Sequence, residues 1–401
     1  MTDTPPGIQP GNANELPAEL DPDDAAAVAD ADPDPLGVPG ADVRPPTRLG
    51  RYRTGSAGVD ARLLELLDEI GVTEDRDQLF EILVSAVRLA GDGADRLDLK
   101  ITNAALKELR AAFRAFAPYR NVPKVTIFGS ARTLPADATY VQARTLAQQL
   151  AARGYMVVTG AGPGIMAAGL EGAGREQSFG VNIRLPFEQG ANAFIAGDTK
   201  LVSMKYFFTR KLMLIKESAA FVSLPGGFGT LDETFELLTL LQTGKAQPAP
   251  VVLVDEPGGG FWTGLRRFLT EDVAPRGLID SDDVHLVTFT DSAEEACQEI
   301  IRFNRNFHSI RWVGERLVLR IRRPPTDDEL VDLNRRFGAI ATDGVLRRTG
   351  ALPAEVQTDD HLHLARVILR YNGFAAGQLR LLIDALNTLP SLDSDDGSPH
   401  H

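Results

Sequence analysis

Apolar positions along the chain first take on a helical period near Asp60. In DARLLELLDEIG, DQLFEILVSAVRLAGDG and LKITNAALKELRAAFRAFAPYR they recur every three or four residues, with Gly or Pro at the breaks. This predicts a helical lead-in of three segments over residues 56–120. The pattern then changes to short apolar runs: KVTIFGS, YMVVTGAG, FGVNIRL, KLVSM, AAFVSLPGG and APVVLVDE. Amphipathic stretches such as TYVQARTLAQQLAARG lie between several of them. Strands alternating with helices predict βαβ units and an α/β fold, a doubly wound Rossmann-like parallel sheet covered on both faces, over residues 121–304. Further on, ERLVLRIRR and HLARVILRY read as strands, PTDDELVDLNRRF and AAGQLRLLIDALNTL as helices, so residues 305–390 form a small α+β appendage.

Composition changes this picture mainly at the two ends. Residues 1–55 are rich in Pro, Asp, Ala and Gly and poor in aromatic and β-branched side chains. Such a segment buries too little surface to offset its ordering entropy, and a disordered acidic tail is expected there, with a short disordered end over 391–401. The ten acids of the first 42 residues account for most of the formal charge of −13 and leave about −3 for the rest of the chain. No chain-wide basic field of the kind that binds nucleic acid is present. Cys297 is the one cysteine, which excludes an intramolecular disulfide and a cysteine-rich zinc site. Its six histidines form no metal constellation by spacing, and the pair in HLH reads as part of a surface strand. With no apolar run of membrane-spanning length and no export-type leader, a cytoplasmic protein without membrane contact is expected.

Candidate chemistry gathers at three glycine-rich strand ends: FGSAR (residues 128–132), TGAGPGIM (159–166) and PGGFGT (225–230). In an open parallel sheet, ligands bind at the carboxyl ends of strands, where helix N-termini offer free amides to anions. Glycine lets the backbone approach a phosphate, and Ser130 and Thr230 add hydroxyl donors. A dinucleotide site fits poorly, because GAGPGI has Ile165 where the fingerprint wants its third glycine. The following strand also ends in Arg184 rather than a ribose-binding acid, and no loop finishes in the Gly-Lys-Ser/Thr of a P-loop.

After PGGFGT, the stretch LDETFE reads as a carboxylate-rich first helical turn, with Asp232 and Glu233 sharing roughly one side with Glu236. Such acids either offset the helix dipole or stand beside a phosphate cradle where a glycosidic carbon would lie. Arg210 and Lys211 sit together in an otherwise apolar helix, as a solvated face or as charges with buried partners.

An Arg-Lys pair on a helix followed by P-G-G-x-G-T-x-x-E, here TRK at 209–211 and PGGFGTLDE at 225–233, resembles the signature of the LONELY GUY (LOG) family. The resemblance covers about half of the chain. It implies hydrolysis of the N-glycosidic bond of a nucleoside 5′-monophosphate, giving free base and ribose 5-phosphate, with no metal or organic cofactor. The label lysine decarboxylase that such proteins often carry would require a different architecture. Carried over by motif, Arg210 and Glu233 are the catalytic pair and Gly226, Gly227, Gly229 and Thr230 the phosphate cradle; Ser130, Gly162, Gly164, Lys211 and Glu236 complete the substrate contacts. The chain has MKYFFTRK where short plant-type members read M-H-x-R-K, and GAGPGIM where they read GGGSxGLM. The base, cytokinin or ordinary purine or pyrimidine, therefore stays open. The alternative reading is a non-hydrolytic carrier of nucleotide or molybdenum cofactor on the same fold. The resemblance also implies a homo-oligomer, with the site near an interface to which KYFFTRKLMLI contributes.

Overall fold

The structure, a computed structural model, describes residues 52–184 and 190–393. Most of the expected acidic tail and nearly all of the expected disordered end lie outside the described residues. The chain divides into two compact units, the break among described residues falling between Ala94 and Asp95. In the first unit, helices α1 (Ala57–Glu69) and α2 (Arg76–Gly91) pack through Leu67, Phe80 and Val84. The third lead-in helix, α3 (Arg96–Phe116), belongs to the second unit. Asp95 starts it with a capping box, accepting from the Leu97 and Asp98 amides while the Asp98 carboxylate accepts from Asp95 N. Its apolar face docks on the sheet, Phe116 stacking on Phe179 at 4.2 Å between ring centroids. The lead-in is thus two pieces, because helical period alone does not say what a helix packs against.

The second unit is built on seven parallel strands: β1 (Lys124–Phe128), β2 (Met156–Thr159), β3 (Ser178–Ile183), β4 (Leu201–Met204), β5 (Ala220–Ser223), β6 (Val251–Val254) and β7 (Val287–Thr290). Their order is β4-β3-β2-β1-β5-β6-β7, the doubly wound α/β sheet the pattern predicted. Every residue of β1, β2, β5 and β6 is buried, which is why these strands read as mainly apolar runs, their polar members Lys124, Thr126, Thr159 and Ser223 being buried too. Helices α4 (Ala138–Ala152) and α5 (Ile165–Ala173) share one core of the sheet. On the other face, α6 (Phe207–Lys216), α7 (Phe228–Gln242) and α8 (Phe261–Arg267) join α3, and α9 (Ala293–Phe303) returns to the first. Strand order reverses between β1 and β5, so their carboxyl ends flank the crevice where such folds bind ligands.

The C-terminal part is the expected small α+β region. Its antiparallel sheet has the order β10-β11-β9-β8, from β8 (Phe307–Val313), β9 (Arg316–Ile321), β10 (Arg347–Thr349) and β11 (Ala365–Leu369). Helices α10 (Asp327–Phe337), α11 (Pro353–Gln357) and α12 (Ala376–Asn387) accompany it. On α11, Glu355 is fully buried between two buried guanidiniums, accepting from Arg320 Nε at 3.0 Å and Arg366 Nε at 2.9 Å. The HLH pair does not lie in a strand. His361 and His363 occupy the turn before β11, where His361 takes φ +49° and its ring lies 4.5 Å from that of His308.

Candidate functional site

The three glycine-rich strand ends are joined by backbone hydrogen bonds. Ser130 N donates to Pro225 O at 3.2 Å, and Ile165 N donates to Ser130 O at 2.9 Å. The loops after β1, β2 and β5 therefore form one surface at the switch point. The Ser130 hydroxyl accepts from Arg132 N at 3.0 Å. Asn192 braces the middle loop, its side-chain amide donating to Gly162 O at 2.9 Å and its backbone amide to Ala161 O at 2.9 Å.

Glycine serves two different purposes here. A methyl group on Gly164, which sits at φ +67°, would lie 2.2 Å from Ser130 O; one on Gly226 would lie 2.2 Å from the Thr230 hydroxyl and 3.0 Å from Ser130 N. These two glycines let backbones pack. Gly162 is intermediate, facing the flexible end of Met166. Gly227 and Gly229 face open space and are exposed, as is Phe228 between them at 92 %. Helix α7 starts at Phe228, a turn earlier than LDETFE suggested, so its first turn is FGTL and carries no acid. The expected carboxylate-rich first turn is in fact the second. Local pattern misplaced the start because Gly and Thr are poor helix formers, although both are tolerated at a helix N-terminus. The first-turn amides of Phe228, Gly229 and Thr230 are left without an internal counter-charge, at the positive end of the helix dipole.

One turn further on, Glu233 meets Arg210. Arg210 Nη1 donates to Glu233 Oε1 at 3.1 Å, with 10 % and 13 % of the two side chains exposed. Arg210 Nε donates to Val181 O at 3.0 Å, at the end of β3. Its guanidinium also lies against the end of β2, where a methyl on Gly160 would fall 1.9 Å from Nη2. Arg210 is thus not on a solvated helix face but wedged among three elements. Burial pushes the Glu233 carboxyl above the usual carboxylate range, with Arg210 and then Lys211 pulling it back. Lys211 is itself engaged, its Nζ lying 2.8 Å from Asp232 Oδ2 and 2.5 Å from Glu236 Oε2. Burial alone would lower the Lys211 ammonium pKa, but these two carboxylates raise it.

Reasoning from sequence missed Glu108 on α3. Its Oε1 accepts from Lys205 N at 2.8 Å and its Oε2 from the buried Thr209 hydroxyl at 2.7 Å, fastening the start of the helix that carries Arg210. No local signal marks it, since an exposed-type Glu on an amphipathic helix is ordinary.

The fold and this arrangement define a class: a Rossmann-like α/β protein with an open, glycine-rich helix start and a buried Arg-Glu pair at its switch point. Comparison with known proteins carries the assignment further. Residues 151–300 match a family model described as "Possible lysine decarboxylase". A probable cytokinin riboside 5′-monophosphate phosphoribohydrolase of Arabidopsis thaliana is 30% identical over 155 residues, 37% of this chain and 73% of that one. A similarly named protein of Oryza sativa subsp. japonica is 25% identical over 181 residues, 43% of this chain and 71% of that one. The chain belongs to the LONELY GUY family. Among solved structures, the molybdenum cofactor carrier protein of Chlamydomonas reinhardtii aligns with a TM-score of 0.34 at 20% identity, over 45% of this chain and 97% of that one. At that level the likeness carries no functional argument.

Proposed function

We propose that the protein is a nucleoside 5′-monophosphate phosphoribohydrolase, with water and the nucleotide giving free base and ribose 5-phosphate. The observation that carries this reading is the placement of two features on one helix. The first-turn amides, without a hydrogen-bond partner among the described residues, and the open glycines beside them suit a 5′-phosphate, and Glu233 follows five residues after Phe228, about 7.5 Å along the axis. A phosphate held at one end orients the ribose so that its anomeric carbon reaches the carboxylate.

Breaking the C1′–N bond builds oxocarbenium character on the ribose. Glu233 is the group to stabilise that charge, attack it, or take a proton from the incoming water. Its raised pKa, set by burial, brings a carboxylate base nearer to neutral working pH. A guanidinium offers donors and a fixed positive charge, so the work of Arg210 is to hold Glu233 ionised and aimed. Lys211 occupies Asp232 and Glu236, limiting the repulsion these two exert on Glu233. Ser130, Thr230 and Lys211 line the same reading as substrate-side groups, and no base preference follows from them.

The same proposal includes assembly into a homo-oligomer beside the site, supported by Phe207, Phe208 and Phe235 standing exposed on the helices that carry Arg210 and Glu233. It also places the protein in the cytoplasm, where a buried, unpaired Cys297 is at home. Among the described residues, no helix is long and apolar enough to cross a membrane.

The test is incubation with AMP, CMP, GMP and isopentenyl-AMP and measurement of released base beside a Glu233→Ala control. Release lost in the variant supports the hydrolase and names its base. Binding without release, unchanged in Glu233→Gln, would instead indicate a carrier.

A further inference from the structure

The far end of α7 borders a second pocket, partly open to solvent. Its last turn, the turn that follows, β8, β9 and the start of α12 surround a cavity of about 200 Å³. The wall is mainly apolar, with Leu241, Ile310, Leu317 and Leu379 facing Trp312 and Tyr371, whose ring centroids lie 6.2 Å apart at a 54° tilt. The frame is fixed by Gln247, whose side-chain amide pairs with the β8 backbone on both sides: its oxygen accepts from Ile310 N at 3.0 Å and its nitrogen donates to Ile310 O at 3.2 Å. The exposed members of the lining, Thr243, Gly244, Lys245 and Gly373, mark an opening to solvent.

Close-packed interiors leave few voids larger than a water molecule, and an apolar cavity of about 150 Å³ stays dry and takes up benzene. This pocket is open to solvent on one side, but it is of similar size, mainly apolar and walled by two aromatic rings, the lining that sites for small organic ligands share. Aromatic walls favour a flat ring, stacked or edge-on. The charge of the one buried cation in the wall, Arg380, is balanced by Asp384, 3.1 Å from its Nε, and Glu299, 2.5 Å from its Nη2, while its Nη1 is buried with no hydrogen-bond partner among the described residues and is free to donate to a ring nitrogen or oxygen of a ligand. A neutral ligand fits such a wall better than an ion.

We propose that this cavity is a second binding site, for a neutral, flat compound of one or two fused rings, and that its occupancy is felt at Glu233 through α7. Leu241 lies eight residues beyond Glu233 on the same helix, about 12 Å along the axis. The coupling half of the proposal rests on the hydrolase reading above; the binding half does not.

Trp312 is one of two tryptophans in the chain, the other being the buried Trp262, so it serves as the reporter. Titration with benzimidazole and with toluene, neutral at pH 7.5, is expected to change the tryptophan emission saturably. The change should vanish in Trp312→Phe and in Ala376→Leu, which fills the cavity from α12. Ile310→Phe, filling it from β8, serves the same purpose if Ala376→Leu melts below wild type. No saturable change in the wild type, or a change that persists in a filled variant with wild-type Tm, overturns the site. For the coupling, saturating benzimidazole should alter base release at least twofold in the wild type and not in the filled variant. Binding with unaltered release overturns the coupling alone, whereas absence of any base release without ligand counts against the hydrolase reading and leaves the binding result standing.

Discussion

The Arg210–Glu233 pair permits a sharp test, because its two halves respond differently to losing each other. In Glu233→Ala, the guanidinium of Arg210 keeps its bond to Val181 O but loses its carboxylate, leaving a buried cation without its counter-charge. Removing one partner of a buried pair costs about 3–5 kcal/mol. With about a tenth of each side chain exposed, the low end applies, about 3 kcal/mol, or a Tm lower by roughly 5 °C for a unit of this size. In Arg210→Met, by contrast, Glu233 loses the charge that most opposes the effect of burial, and its already raised pKa climbs further. Its stabilising contribution is present below the unfolded carboxylate pKa and is lost as pH rises through the folded value. The penalty of Arg210→Met should therefore grow between pH 5 and pH 8. That of Glu233→Ala should not grow, and should shrink slightly as the wild type itself loses the contribution of Glu233. Urea unfolding at both pH values, with each variant compared with wild type at the same pH, cancels the other titrating groups. Two penalties that change in parallel with pH would refute the assignment of burial as the dominant influence on Glu233.

Lys211→Met removes a cation that lowers the Glu233 pKa, so the acid limb of the pH profile for base release should move to higher pH; an unmoved limb would remove Lys211 from that role. The two kinds of glycine should separate by assay. Gly164→Ala should lose about 1–3 kcal/mol from its left-handed backbone alone, with more from the clash with Ser130 O, whereas Gly227→Ala should keep wild-type Tm and raise KM several-fold for the nucleotide. In the C-terminal sheet, burial alone would raise the Glu355 pKa, but the Leu352 amide, Arg366 and Arg320 lower it. The resulting stability is present above the unfolded pKa and lost as pH falls through the folded one. Glu355→Ala, leaving two buried guanidiniums, should cost about 3–5 kcal/mol at pH 7 by calorimetry, and less in acid.

Much of the fold was legible in the pattern of apolar and polar positions. The buried, mostly apolar runs of β1, β2, β5 and β6, and the amphipathic helices between them, imply a covered parallel sheet because burial on two faces favours apolar side chains on both sides of a strand. Strand β8 was not legible, since FHSIRWV mixes His, Ser and Arg into its run and carries an irregular register at Phe307 and Ser309. The histidine turn was misread as a strand because only its tertiary setting holds His361 at positive φ.

The sequence by itself determined the class of sheet, the three glycine-rich turns and the candidate residues, because hydrophobic period and turn chemistry are local properties of the chain. Tertiary structure alone decided what those residues do to one another. It buried Arg210 against Glu233, engaged Lys211 with Asp232 and Glu236, and brought Glu108 from a helix about a hundred residues away to fasten Thr209. It also separated the glycines that backbones press against from those left open. Charge pairing and desolvation depend on elements distant in sequence that share one crevice, and no local window contains them.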